Sequence, residues 1–146
     1  MKKGIDFVGV CVTFICHDGK GNFAMQLRGE NCRDEQGRWD VGAGGLELHD
    51  TVEDTLRKEI KEEYCVDCLD IKFLGYRDMH RIDKDIPTHW VALDHLVLVD
   101  SEKVKNGEPH KFDDIQWFTL DTLPEQVHSG AAIMLERYKS LLRPIS

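Results

Sequence analysis

The chain has 146 residues, 41% of them hydrophobic, and a net charge of −8 from 27 Asp and Glu against 19 Lys and Arg. That length and apolar share suit a single domain, residues 1–146, with a core of its own. The acidic balance argues against broad binding to nucleic-acid backbones, which needs a basic surface, and so against a nucleic acid duplex as partner. It leaves room for an anionic small molecule, whose charge a bound metal and local basic residues can neutralise. No apolar run approaches the roughly 18 residues of a membrane span, and Met1–Asp6 leads into a β-like run rather than a signal peptide. The expectation is a soluble, cytoplasmic protein with no membrane partner.

In chain order, Phe7–Cys16 is β-branched and apolar and predicts a buried strand. The stretch 17–22, with Gly19, Gly21 and Asn22, predicts a turn, and Phe23–Leu27 a returning strand that makes a hairpin. Arg28 ends that strand, a polar loop follows over 30–37, and Trp39–Val41 is short and extended. The stretch from Gly44-Gly45 to Asp50 predicts a glycine-rich turn leading into a helix. Thr51 with Asp54 three residues on is close to a capping box, and a helix is expected from there to Glu63 or Tyr64. Ile71–Ile82 and Thr88–Asp100 predict two long strands joined through a turn at 83–87, and Ile115–Thr119 a further strand. Ser129–Leu142 predicts a closing helix with Ile133, Leu135, Tyr138, Leu141 and Leu142 as its apolar members. Pattern alone implies a mixed α and β domain.

Five cysteines, an odd number without framework spacing, point to a reducing compartment. Cys65 and Cys68 form a C-x-x-C without a second pair to complete a zinc site, so they are expected to be plain thiols. His80, His89 and His95 fall on strands and are expected to be polar strand residues.

The helix over 51–64 carries the chemistry. A Glu-x-x-Glu-Glu run is commonly a solvated face, but the angular placement here argues otherwise. At about 100° per residue, with Val52 at zero, Leu56 falls at about 40° and Ile60 at about 80°. On the same scale Glu63 falls at about 20°, inside the apolar stripe, Glu59 at about −20°, on its edge, and Glu62 at about −80°. Asp54, Arg57, Lys58 and Lys61 take the far side. Acids held together against a protein body repel one another and lose hydration, and the simplest compensation is a hard divalent cation such as Mg²⁺.

The stretch runs from Gly44 through Asp50 to Lys58-Glu59, Ile60, Lys61, Glu62-Glu63, Tyr64, Cys65 and Val66, and it matches the spacing of the Nudix box from end to end. The chain is therefore identified by resemblance as a MutT-like member of the Nudix hydrolases, over about residues 6 to 142. Arg38–Val41 resembles the tryptophan strand before the box, and Glu108–Lys111, Gln116–Phe118 and Leu123-Pro124 resemble the closing segment of nucleotide-directed members.

The resemblance implies an α-β-α sandwich with a mixed sheet between helices, and a pyrophosphohydrolase requiring Mg²⁺ or Mn²⁺. It places metal on Glu59, Glu62 and Glu63, with Glu108 a candidate fourth carboxylate alongside Asp113 and Asp114. Glu59 and Glu62 are the alternatives for the general base. Arg28 is a candidate for substrate phosphate, Trp39 for stacking on a base or for the core, and Gly44 and Gly45 for close passage of backbone at the site. Three positions depart from the box: Asp50 for glutamate, Lys58 for arginine and Cys65 for glycine. Asp50 and Lys58 keep the charges of the family's supporting pair, but lysine lacks the planar fork and aspartate is a methylene shorter. A looser support for Glu59 is expected. Cys65 should need a positive φ, at a cost on the order of 1 kcal/mol.

The implied substrate is a nucleoside triphosphate or a nucleoside diphosphate derivative, with room for a homodimer. Two rivals are a non-catalytic nucleotide-binding regulator of this fold and a hydrolase of capped or 5′-triphosphorylated RNA. Intact metal acids oppose the first, and the charge of −8 opposes the second.

Overall fold

The computed structural model describes residues 1–143, so the last three residues of the expected 1–146 domain lie outside the described residues. Seven strands and two α-helices follow in the order β1 (Gly9–His17), β2 (Phe23–Arg28), β3 (Trp39–Asp40), β4 (Gly42–Gly45), α1 (Val52–Tyr64), β5 (Asp70–Asp83), β6 (Ile86–Leu98), β7 (Phe112–Phe118) and α2 (Ser129–Arg137). The sheet runs β3-β2-β1-β6-β5, with β4 added on β1 and β7 on β2. Only β1 and β6 pair in parallel, so the sheet is mixed. None of the described helices is long and apolar enough to cross a membrane.

β1 is central because it is apolar on both faces. Val12, Phe14 and Cys16 point into the core under α1 with Leu56, Ile60 and Tyr64. Ile15 points the other way, into the core under α2 with Phe23, Met25, Met134 and Leu135. This period-two alternation between two buried faces explains a nearly continuous apolar run. Helices on opposite faces of one mixed sheet give the expected α-β-α layering.

α1 matches its angular reading. Leu56, Ile60 and Glu63 are buried, Glu59 is half-buried, and Asp54, Arg57, Lys58, Lys61 and Glu62 are exposed. Thr51 caps the N-terminus, its Oγ1 accepting from Asp54 N at 3.0 Å. Cys65 ends the helix in the left-handed region at φ 58°, the strained conformation expected where the box has glycine. The helix end is further closed from outside. Lys105 N donates to Tyr64 O and Gly107 N to Glu63 O, each at 3.0 Å, satisfying carbonyls that a helix terminus leaves open.

Several expectations need correction. Gly42–Gly45 is strand β4, paired antiparallel with Cys11–Phe14, and the turn lies after it. Glycines suit this strand because backbone and side chains crowd it: a Cβ on Gly42 would overlap the Phe14 ring. The β5–β6 turn is only Lys84 and Asp85, both at positive φ, and Pro87 is already in β6. Both positive φ values fit the tight two-residue hairpin that matches strand twist. β1 pairs with β6 only from Trp90 onward, so the strand has no neighbour on that side at Pro87. α2 stops at Arg137, with a 3₁₀ turn over Lys139–Leu141. Its buried stripe is Ala131, Met134, Leu135 and Tyr138, the i, i+3, i+4, i+7 set, leaving Ile133 and Leu141 exposed.

One buried polar cluster ties α2 to the sheet. Asp94 on β6 accepts from Arg77 Nε at 2.7 Å and Nη2 at 3.0 Å, from Tyr138 Oη at 2.7 Å, and from Thr13 Oγ1. Asp94 is fully buried and Arg77 nearly so. Removing one member of such a pair strands the other charge. Asp94→Ala is therefore expected to lower unfolding free energy by about 3–5 kcal/mol, checked by urea unfolding. A loss below about 1 kcal/mol would mean the pair behaves like a surface ion pair.

Candidate active site

The site lies where α1, β4 and the 104–111 loop meet. Glu63 is 2% exposed. Its Oε1 accepts from Gln26 Nε2 at 2.8 Å, and its Oε2 has no partner among the described residues. Burial pushes its carboxyl well above the usual range; the Gln26 hydrogen bond opposes this, and the charges of Glu59 and Glu108 add to it. Glu59 is half-buried and also raised, by burial first and then by Glu62 and Glu108, with Lys58 and Lys111 opposing. Each acid thus stands where its charged form is disfavoured.

Gly44 explains how Glu59 reaches this position. A Cβ there would overlap the Glu59 side chain, so β4 offers bare backbone against that carboxylate. Gly107 does the same for the late loop: a Cβ would overlap the Glu62 carbonyl. Its close seat on the C-terminal turn of α1 holds Glu108 near enough to act on Glu59 and Glu63. Sequence reasoning misses Gly107; its only signal is the Asn106-Gly107 pair. Asn106 fastens the loop, its Nδ2 donating to Phe112 O at 2.8 Å and its Oδ1 accepting from Glu108 N at 3.0 Å.

The acids fit a hard divalent cation. An ionised carboxylate with a buried, unpartnered oxygen, beside further carboxylates, calls for positive charge or a proton. Glu62, Glu59, Glu63 and Glu108 border one another, although no three of their ligand atoms lie within 4.8 Å of one another.

A cavity opens on the α2 face of the sheet, lined in part by Thr13, Arg28, Asp34, Asp40, Gly42–Gly45, Arg77, Met79, Arg81, Trp90 and His128. Gly44 and Gly45 therefore border the cavity while Gly44 also touches Glu59, which joins cavity and acids through one strand. Arg28 lines the cavity but is held by acids: Nη1 lies 3.0 Å from Asp40 Oδ2, Nη2 lies 2.8 Å from Asp34 Oδ1, and Nε donates to Asp34 O at 3.0 Å. Arg81 has only long contacts, 3.5 Å to Glu35 and 3.6 Å to Asp34, and Arg33 lies 3.7 Å from Asp83. His128 caps α2 through Nδ1, which accepts from Gly130 N at 3.0 Å, while Nε2 faces Glu35 Oε2 at 2.9 Å. Asp34, Asp40, Arg81 and His128 carry no sequence signal as site residues, because only tertiary pairing brings them together.

Three expected residues sit elsewhere. Trp39 packs edge-on against Phe118, with centroids 5.1 Å apart, and does not line the cavity; its core alternative describes this placement. Asp50 and Lys58 are both exposed and form no ion pair within 4.0 Å among the described residues. The shorter aspartate in the loop before Thr51 leaves a gap that the lysine does not bridge, and the Lys58 charge falls on Glu59 instead. The five cysteines are all unpaired.

Residues 8–138 match the family model of the NUDIX domain. No curated protein matches the chain. Among solved structures, the MutT NUDIX hydrolase from Burkholderia pseudomallei is 25% identical, with TM-score 0.77 over 90% of this chain and 98% of that one. The MutT protein from Methanosarcina mazei Go1 is 18% identical, with TM-score 0.76 over 92% and 94%. The NUDIX domain of Shewanella oneidensis NrtR, solved with ADP ribose, is 15% identical, with TM-score 0.73 over 97% and 90%. The last two likenesses speak to the fold.

The raised acids have a consequence for stability. Glu63 holds its proton in the folded state to higher pH than its ordinary value of 4.5. Over that window the native state binds more protons than the unfolded chain, so this group's contribution falls as pH rises through it. His128, lowered from 6.5 chiefly by burial, works oppositely and gains stability up to about that pH. The difference between wild type and Glu63→Gln isolates the first effect. In metal-free buffer the variant is expected to gain melting temperature relative to wild type as pH rises from about 5 toward 8. A constant difference across that range would show that Glu63 is not raised.

Proposed function

The chain belongs to the Nudix family of hydrolases, and from that premise we propose that it is a pyrophosphohydrolase cleaving a phosphoanhydride in a nucleoside triphosphate or a nucleoside diphosphate derivative. The single observation that carries the reading is the buried Glu63 carboxyl, with one oxygen unpartnered, beside the raised Glu59. Glu59, Glu62, Glu63 and Glu108 would hold Mg²⁺ or Mn²⁺. Bound there, the metal would neutralise charge developing on the phosphoryl oxygens and make a water easier to ionise.

The chain's own groups supply the rest. Glu59 stands against Gly44 at the cavity border, with its pKa raised. A carboxylate there, more basic than an ordinary one, suits taking a proton from an attacking water. Glu62, exposed on the next turn, is the alternative base and otherwise a ligand. Gln26 orients Glu63 from the sheet. In the cavity, Met79, Trp90 and Met134 offer apolar surface for a base or ribose. Arg33 and Arg81, each with only long ion-pair contacts, are placed to meet anionic oxygens. Apolar walls with a few convergent charges are the usual make-up of a nucleotide pocket. The ADP ribose bound by the Shewanella domain supports including nucleoside diphosphate derivatives.

The test is hydrolysis over nucleoside triphosphates, ADP-ribose, sugar nucleotides and dinucleoside polyphosphates, with Mg²⁺ and after EDTA. Turnover of one class, lost on chelation and strongest at alkaline pH, is expected. Glu62→Gln should lower the rate about 10²-fold or more without lowering the melting temperature. Undiminished turnover in EDTA would remove the metal assignment. Nucleotide binding without turnover at any metal concentration would instead indicate a regulator.

A further inference from the structure

The β5–β6 hairpin turns one face to the cavity and the other to solvent. Arg77, Met79 and Arg81 point inward; Asp78, His80 and Ile82 alternate outward. His80 on β5 and His89 on β6 are directly opposite in register, with their rings stacked at 4.2 Å between centroids. Asp78, two residues before His80 on the same face, brings Oδ1 to 3.0 Å from His89 Nε2. One ligand atom from each of the three lies within 4.8 Å of the others.

We propose that Asp78, His80 and His89 form a second metal site, separate from the glutamates of α1 and selective for a borderline transition ion of the Zn²⁺ class. Two imidazoles and one carboxylate are the ligand types such ions prefer over Mg²⁺, which favours all-oxygen octahedra. Ligand atoms about 2.1 Å from one ion stand roughly 3.0–3.4 Å apart at angles between square and tetrahedral. The Asp78–His89 separation already meets that spacing, and a ring nitrogen of the exposed His80 lies within 4.8 Å of both, so a side-chain rotation would close the third side. The three residues sit on paired strands, and a two-residue turn closes the hairpin five positions beyond His80 at Asp85. With three protein ligands, a fourth position stays open to water.

In the other cluster of this kind among the described residues, Asp34, Glu35 and His128, the groups are already engaged: Asp34 with Arg28, and His128 Nε2 with Glu35 at 2.9 Å. Glu35 already accepts from Ser129 N and Oγ, and His128 Nδ1 accepts from the α2 amides. On the hairpin the only bond the ion would displace is the one between His89 and Asp78. The ion would tie β5, an edge strand, to β6 behind the segment that carries Met79, Arg81, Thr88 and Trp90 into the cavity.

The experiment is zinc binding by the whole chain under reducing conditions with excess Mg²⁺, by equilibrium dialysis, for wild type, His80→Ala/His89→Ala and Cys65→Ala/Cys68→Ala. Wild type and the cysteine variant are expected to bind one equivalent at micromolar free zinc that the histidine variant binds roughly tenfold or more weakly. Imidazole nitrogen NMR on wild type should show His80 and His89 shifting on sub-stoichiometric zinc while the other histidines do not. Unchanged zinc binding in the histidine variant, loss only in the cysteine variant, or no zinc bound by wild type at micromolar concentration would each overturn the site. His80 is exposed and His89 only half-buried, which makes an unfolded histidine variant unexpected, and the NMR arm decides without any variant.

Discussion

The structure depends on placing a carboxyl where a carboxyl is unwelcome. Glu63 lies in the apolar stripe of α1, between Leu56, Ile60 and the sheet, with only one of its oxygens hydrogen-bonded. A charge so placed is tolerated only if something offsets its desolvation, whether a proton or a cation. The protein itself meets that demand only in part, through Gln26 and the charge of Lys111. Gln26 reaches only Oε1, Glu59 and Glu108 add like charge, and the basic side chains of α1 point to solvent. The helix cannot relax by rotating, because Leu56, Ile60 and Tyr64 are fully buried and its last carbonyls are bound by Lys105 and Gly107.

The second constraint is β4. A strand of Gly-Ala-Gly-Gly is a poor strand by propensity, yet it is the only kind that lets Phe14 and Glu59 approach its backbone so closely. It also forms part of the cavity border on the other face. This strand therefore has Glu59 against Gly44 on one side and the cavity on the other. The β5–β6 hairpin repeats this economy, with cavity residues on one face and the Asp78, His80, His89 set on the other.

Much of the helix chemistry was legible because a helix is a local, periodic object. Angular placement alone separated buried Glu63, half-buried Glu59 and exposed Glu62, and the need for positive φ at Cys65 followed from its place in the box. Long apolar strands were legible for the same reason. What local pattern could not supply was partnership. Gly44-Gly45 reads as the start of a turn until β1 is there to pair with it. Arg28 reads as a lone strand-end arginine, and only the fold supplies Asp34 and Asp40 as its partners on the cavity wall. Asp50 and Lys58 read as a pair by analogy of charge, whereas the real side chains leave them apart. His80 and His89 look like scattered strand histidines until register sets one opposite the other.

Whether the unpartnered oxygen of Glu63 belongs to a cation is directly observable. Crystals grown with Mn²⁺ and measured at its anomalous edge should show a peak within about 2–2.6 Å of Glu63 Oε2, bordered by Glu59 and weakened in Glu63→Gln crystals. A peak only at other positions, or none beside Glu63 in well-occupied crystals, would contradict the account.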